Sequence, residues 1–304
     1  MRERSSGRTA WRSTQQRIEA ETLGIDYRGA RAVSDLIVGE AGAIISNGDA
    51  VDGGDILTEI VNEGPIEARG GVGLNLTVED EGGFGLATGA DVVNDGTILA
   101  TEEAIRTDGP LFLVNRGLIE GRGSDPFAGA DALLAPPPVA ITASGGSSRL
   151  RLEAGSEVRG TIVLGGTENI VTLAEGAIAD IVEFGSGGGV LEIEGAGSGG
   201  LGGDAIFSFQ LNGGNDEVRL PAFESTSVLG VIEFVSGSEL FDLIGLRAAD
   251  GNVSLLRVSG ADVFRFADRT LTFDELNAAV PLPAALPLLL GALGLGVGLR
   301  RRVR

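Results

Sequence analysis

Short runs of alternating apolar and polar residues, separated by Asn, Asp and Gly, occupy most of the chain from Leu36 onward. Alternation predicts strands with one buried and one solvent-facing side, because successive side chains of a strand point to opposite faces. The clearest later runs are residues 190–193, 205–209, 231–235 and 253–258. The pattern therefore predicts an all-β body.

A short motif in which Gly follows Asn by one or two positions recurs in the first half of this body. Its Asn residues are Asn47, Asn62, Asn94 and Asn115, with spacings of 15, 32 and 21 residues. If 32 counts as two units, the spacings indicate a repeat of about 16 to 21 residues. Such a repeat predicts a parallel β-solenoid, in which each circuit presents its turn at the same place. Asn tolerates the left-handed turn conformation, and Gly follows where no side chain fits. We expect the four Asn residues to stack on one edge.

A second repeat follows, in which residues 152–158 align with residues 173–179 at an offset of 21. Between the two sets, three consecutive prolines and a Gly/Ser-rich segment predict a protruding loop or linker, because prolines cannot donate to a sheet. The predicted divisions are a leader at 1–31, solenoid at 32–127, linker at 128–148, solenoid at 149–273 and a C-terminal signal at 274–304. Whether the solenoid continues across the linker stays open, and an antiparallel β-sandwich is the alternative fold.

The first 31 residues are polar and rich in Arg, and they contain no apolar run of the length that a signal peptide needs. We expect this leader to be unstructured. Because the other end of the chain requires export, we expect either a misassigned gene start or a signal peptide that this sequence lacks.

Composition narrows the chemistry that the chain could perform. It has 50 Gly but one Trp and one Tyr, which favours a repetitive architecture over an ordinary globule. It contains no Cys, His or Lys. These absences exclude Ser-His-Asp relays, thiolate nucleophiles, His- or Cys-ligated metals, Schiff bases and P-loops. The sequence therefore predicts no catalytic residues, no metal site and no cofactor.

Charge is distributed unevenly along the chain. Residues 32–299 carry 12 Arg and 39 acidic residues, a net charge of −27 within a total of −20. Nucleic-acid binding depends on basic side chains that neutralise phosphate, so we expect no nucleic-acid partner.

The last 25 residues form a distinct segment. Residues 280–299 carry no charge and would form a helix of about 30 Å, long enough to span a bilayer core. Acidic residues precede this stretch, and Arg300, Arg301, Arg302 and Arg304 follow it. By the positive-inside rule, these arginines act as a membrane stop and hold the C-terminus in the cytoplasm. A simple tail anchor and a buried helix are the alternatives.

Residues 280–304 resemble the VPLPA-CTERM sorting domain, a variant of the PEP-CTERM signals that exosortase-like transpeptidases process in Gram-negative bacteria. The resemblance rests on an apolar helix and an Arg cluster that follow the motif residues Val280, Pro281, Leu282, Pro283 and Ala284. It implies transport across the inner membrane, then recognition and cleavage near the motif by an exosortase-like enzyme. It also implies association with extracellular polysaccharide and biofilm.

Three further motifs carry weaker signals. Gly195–Gly200 has the spacing of a dinucleotide loop, but the loop continues where a helix should open. A single phrase at 212–218 is similar to half of a calcium-binding repeat, which needs stacked copies. Acids in pairs could act as acid and base on a sugar, but a solvated turn explains them better; they are Glu79, Asp80 and Glu81, and Glu102 with Glu103.

These observations predict a non-enzymatic protein of the cell surface or extracellular matrix, structural or adhesive in role and sorted through its C-terminal signal. Its expected partners are the processing enzyme, the membrane through the C-terminal helix, and extracellular polysaccharide. The alternative function is a β-helix enzyme that acts on polysaccharide.

Overall fold

A computed structural model describes residues 11–14, 17–27, 34–53, 57–77, 89–122, 138–185, 187–195, 207–211, 216–236, 239–247 and 253–279. These residues are mostly β-structure and form a curled parallel sheet. The strands are β1 Trp11–Thr14, β2 Arg17–Ala20, β3 Ile25–Asp26, β4 Ser34–Val38, β5 Ala43–Ser46, β6 Val51–Asp52, β7 Leu57–Asn62, β8 Pro65–Ala68, β9 Leu74–Leu76, β10 Ala90–Asn94, β11 Thr97–Ala100, β12 Ile105–Thr107, β13 Leu111–Asn115, β14 Leu118–Gly121, β15 Val139–Ala143, β16 Arg149–Leu152, β17 Glu157–Leu164, β18 Thr167–Leu173, β19 Ile178–Phe184, β20 Gly187–Ile193, β21 Phe207–Leu211, β22 Glu217–Leu220, β23 Val228–Ser236, β24 Glu239–Arg247, β25 Val253–Ser259, β26 Val263–Phe266 and β27 Thr270–Thr272. A short 3-10 helix lies at Ser225–Ser227, and helix α1 covers Phe273–Ala279.

The chain winds in circuits, so that strands stack in two long sheets. Sheet A has the order β1-β4-β7-β10-β13-β16-β18-β20-β22-β26-β27. Sheet B holds two stacks, β2-β5-β8-β11-β14 and β3-β6-β9-β12-β15, which both meet the long strand β17. Neighbours within a stack are parallel, and antiparallel pairs occur among the described strands only at the C-terminal end, in β23–β24, β24–β25 and β26–β27. This pairing excludes the antiparallel sandwich for the described residues.

The core is a narrow column of aliphatic side chains that repeat at one position per circuit. In sheet B, Ile44, Ile66, Ile98 and Ile119 are register partners, and each is fully buried. In sheet A, an equivalent row of register partners is apolar and buried from β4 to β26. It consists of Leu36, Ile60, Val92, Leu113, Leu150, Val171, Leu191, Val218 and Phe264. Burial of each such side chain contributes about 1.5–3 kcal/mol. The predicted alternation of buried and exposed residues is therefore confirmed at these strands.

The register corrects the predicted repeat length. Asn94 pairs directly with Asn62 and with Asn115, so the 32-residue spacing is one long circuit and not two short ones. Residues 152–158 and 173–179 align as predicted, with Leu152 beside Leu173. The described strands β8, β9 and β10 of this long circuit correspond one to one to β11, β12 and β13 of the next, so the additional length falls between β9 and β10, where residues 78–88 lie outside the described part of the chain.

Two predicted divisions also differ from the structure. The leader contains β1, β2 and β3, which stack on the following circuit, with Ile18 and Ile25 packed against the core. The predicted linker contains β15, which pairs with β12 and β17. Ile141 is fully buried there, and β13 pairs directly with β16 across the break. The body therefore continues through the linker, because the apolar alternation resumes directly after the prolines.

Candidate functional sites

The predicted sorting residues lie outside the described part of the chain. This applies to the motif Val280, Pro281, Leu282, Pro283 and Ala284 and to Arg300, Arg301, Arg302 and Arg304. Within the described residues, none of the helices is long and apolar enough to span a membrane. The sorting signal stays a prediction from the sequence.

Helix α1 ends immediately before this tail and belongs to the body. Its N-terminus has a capping box: the Thr272 and Glu275 side chains each accept the other's backbone N–H, at 3.3 and 2.9 Å. The bond from the Thr272 N–H, together with one from the Thr272 hydroxyl at 3.1 Å, lowers the pKa of Glu275. Leu276 is buried in the core, and the rings of Phe264 and Phe273 lie 6.4 Å apart. The described body therefore extends to Ala279, six residues beyond its predicted end at residue 273.

A ladder of three buried Asn side chains lies inside one corner of the circuits, which we call the Asn ladder. Asn62 Nδ2 donates to Asn94 Oδ1 at 2.7 Å, and Asn94 Nδ2 donates to Asn115 Oδ1 at 2.7 Å. All three residues are fully buried. The side chains also bond turn carbonyls, including Asn115 Nδ2 to Gly117 O at 3.2 Å. These bonds link three successive circuits and fix their register, while at the end of the ladder Asn62 Oδ1 is buried and accepts no hydrogen bond from the described residues.

The fourth predicted member, Asn47, does not join the Asn ladder. It follows β5 on a different corner, where its side chain is exposed and its N–H donates to Ala20 O at 3.1 Å. The position equivalent to Asn62 in the preceding circuit is Val38. The prediction was wrong because Asn47 resembles the others only in its local sequence.

The predicted reason for Asn at these turns was also wrong. Among the described non-glycine residues, only Glu168 has a positive φ, so the ladder residues do not adopt the left-handed conformation. The glycine that follows is needed for close stacking. A Cβ on Gly117 would lie 1.9 Å from Gly96 O, and a Cβ on Gly96 would lie 2.2 Å from Gly64 O.

At the other end of the sheet A strands, side-chain oxygens accept backbone N–H groups from the preceding circuit. Ser148 N–H donates to Asn169 Oδ1 at 2.9 Å, and Gly189 N–H donates to Asp216 Oδ1 at 2.7 Å. Asp216 comes from the phrase that is similar to a calcium repeat, but here its carboxylate closes a corner. No group of three or more metal-ligating side chains occurs among the residues that the structure describes.

The outward surface carries ion pairs that join successive circuits. They include Arg116 with Asp95 at 3.1 Å, Arg159 with Glu120 at 3.3 Å and Arg265 with Glu217 at 2.7 Å. The three arginines are about half-exposed, whereas Glu120 and Glu217 are 19% and 16% exposed. Ion pairs with a solvent-exposed partner contribute about 0–1 kcal/mol each. Arginines of this acidic body therefore pair with carboxylates of a neighbouring circuit.

The acid pairs singled out in the sequence do not form a described catalytic site. Residues 79–81 lie outside the described residues. Glu102 and Glu103 both bind Arg106, the first at 3.2 Å between Oε2 and Nη2. This ion pairing favours a structural role for the two carboxylates.

A carboxylate pair that sequence reasoning missed lies in the C-terminal antiparallel strands. Asp242 on β24 is directly opposite Glu233 on β23. Burial, and secondly the negative charge of Glu233, raise the pKa of Asp242 to about 6. Asp242 Oδ1 accepts no hydrogen bond from the described residues. The pairing depends on antiparallel register, which the irregular sequence of this region does not reveal.

This environment predicts a pH-dependent stability. A carboxyl group with a raised pKa favours folding while it is protonated, so its contribution is present below about pH 4 and is lost as pH rises through 6. Asp242→Asn should therefore raise stability at pH 7.5 and change it little at pH 4. The full shift would correspond to about 3 kcal/mol, which solvent screening of this partly exposed group reduces to about 1 kcal/mol.

Thermal unfolding of the full chain at both pH values measures this effect. Glu40→Gln likewise neutralises a carboxylate, but at an exposed site, and should leave stability within about 0.5 kcal/mol. Equal stabilisation at pH 4 and pH 7.5 would contradict the raised pKa.

Comparison of the chain with protein-family models, curated proteins and solved structures gives no match.

Proposed function

We propose that this chain is a structural or adhesive protein of the bacterial cell surface or extracellular matrix, with a parallel β-solenoid body and a VPLPA-type sorting signal. The observation that carries the proposal is a feature of the sequence: the motif, the apolar stretch and the Arg cluster follow one another in residues 280–304. Before processing, the tail would anchor the protein in the inner membrane with its C-terminus in the cytoplasm. An exosortase-like enzyme would then act near the motif.

The body supports a structural role. Its circuits are held together by continuous strand pairing, aliphatic stacks and the Asn ladder. This combination suits a rigid structural body. Its outward surface carries ion pairs that join successive circuits. Extracellular polysaccharide is the proposed partner of this surface, as the resemblance of the tail implies.

A second candidate function, a β-helix enzyme acting on polysaccharide, is favoured by one observation. Asp242 has the raised pKa of a general acid and faces a second carboxylate, Glu233. Turnover of an acidic or neutral polysaccharide by the purified protein, lost in Asp242→Asn and Glu233→Gln, would support the enzyme over the structural protein.

Variants of the tail test the proposed sorting, when the chain is expressed behind a working signal peptide in a host with the sorting enzyme. Replacing the four arginines by Ser should let the tail slip through the membrane, because each guanidinium contributes roughly 2.5–3.5 kcal/mol to the barrier. Replacing Pro281 and Pro283 by Ala should leave insertion intact and block processing, since these prolines keep the motif extended.

The measurement is the mass of the protein recovered from membrane and medium for each variant. Pro287→Ala is the matched control, because it removes a proline from the same segment outside the motif. If the arginine and proline variants are both processed and released like the parent, the tail is not a sorting signal.

A further inference from the structure

The outward face of sheet A between β7 and β16, which we call face A, carries charges arranged in order of sign. One row of register partners reads Glu59, Asp91, Phe112 and Arg149 on successive strands. All four side chains are exposed, Phe112 to 39%. The sign of charge therefore reverses across a central aromatic ring within about three strand spacings, or about 14 Å.

A second row on face A, two residues further along each strand, is apolar. It contains Val61, Val93 and Val114, each partly exposed, and then Arg151. Phe112 and the valines thus form an apolar strip that stays open to solvent in the single chain. Contiguous apolar surface of this kind commonly marks an interaction site.

The charged side chains on either side of Phe112 form no ion pairs with other described residues of the chain. Arg149, Asp91 and Glu59 form no ion pair with the described residues, whereas Arg151 binds Glu153 and Glu194, each at 2.9 Å. In an acidic body whose described arginines are mostly paired, Arg149 is exposed without an ion pair and is therefore available to bind a carboxylate of another molecule. Face A supplies that carboxylate itself, at Asp91.

We propose that face A is a self-association surface, and that two copies pack face to face about a twofold axis parallel to β13. This axis places Phe112 against Phe112 of the partner and makes the stacking directions antiparallel. Strand β16 of each copy then faces strand β10 of the other, so that Arg149 of each copy meets Asp91 of the other. The interface is isologous, and each charge pair occurs twice.

The charges select this arrangement over the alternative face-to-face packing. A twofold axis parallel to the stacking direction would bring each strand against its own copy. Asp91 would then meet Asp91 and Arg149 would meet Arg149, and such like-charge contacts disfavour association. The inference rests on face A alone and does not depend on the proposed sorting of the tail.

Cross-linking of single-cysteine variants tests the dimer, because the chain has no cysteine of its own. Packed sheets lie about 10 Å apart, so a short bismaleimide suits the contact better than a direct disulfide. Phe112→Cys in the full chain should form a covalent dimer about tenfold faster than Ile178→Cys. Ile178 is the matched control, because it is also 39% exposed but lies on sheet B.

Charge exchange in the Phe112→Cys background tests the pairing itself. Asp91→Arg and Arg149→Asp should each slow cross-linking about tenfold, because each places two like-charge pairs in the interface. The double exchange should restore the parent rate. Arg247→Asp, a change at another exposed arginine without a described ion pair, should leave the rate unaltered. Equal cross-linking at positions 112 and 178, or a double exchange as slow as the singles, would overturn the proposal.

Discussion

Asn94→Asp is expected to destabilise the body by about 4 kcal/mol at pH 7.5. Asn94 is fully buried, donates to Asn115 Oδ1 and accepts from Asn62 Nδ2. A carboxylate there would lose the donated hydrogen bond, face a second oxygen and place an uncompensated charge in the core. At pH 4 a protonated carboxyl can donate again, so the loss should shrink.

The matched control is Asn47→Asp, the same chemical change in the similar phrase outside the Asn ladder. Because Asn47 is exposed, its substitution should cost less than about 0.5 kcal/mol. Chemical denaturation of the full chain, followed by circular dichroism, compares the two. Equal shifts of the unfolding midpoint would show that the Asn ladder does not hold the circuits together.

Phe264→Ala is expected to cost about 3–5 kcal/mol and to loosen the C-terminal end of the stack. Phe264 is fully buried on β26, stacks over Val218 and packs near Phe273 at the start of α1. Truncation would leave a cavity beneath the antiparallel strands and the helix that close the core. The damage should be local, because each circuit contacts mainly its neighbours.

Hydrogen exchange measures this effect by region. Amides of β26, β27 and α1 should lose protection, while those of the Asn ladder circuits keep it. Ile178→Ala truncates a large apolar side chain at an exposed position outside face A and should cost less than about 1 kcal/mol. Uniform loss of protection along the body would contradict a locally closed end.

The sequence predicts the strands well because alternation follows directly from burial of one face. It also reveals the 21-residue circuit at Leu152 and Leu173, where no insertion intervenes. The sequence does not reveal the length of a circuit that carries an insertion, because the 32-residue spacing between Asn62 and Asn94 is equally compatible with two short circuits. Only the register shows that these two side chains touch.

Local resemblance also misled the assignment of the corners. The local sequence around Asn47 resembles that of the Asn ladder residues, but Asn47 lies on another corner of the circuits. The turn before Ser156 makes the Asn ladder's corner without Asn, because Gly155 has a φ of +80° and Ser156 N–H donates to Glu153 O at 3.0 Å. Asp242 and face A could not be found from sequence, because both depend on which strands become neighbours.

Mass spectrometry of the parent protein tests the central claim of a sorted surface protein most directly. The chain is expressed behind a signal peptide in a host with the sorting enzyme, and the protein is recovered from the envelope and the medium. The proposal predicts a C-terminus within or next to residues 280–284, with the apolar stretch and the arginines removed and α1 retained on the body. A protein that still ends at Arg304 in every fraction would contradict it.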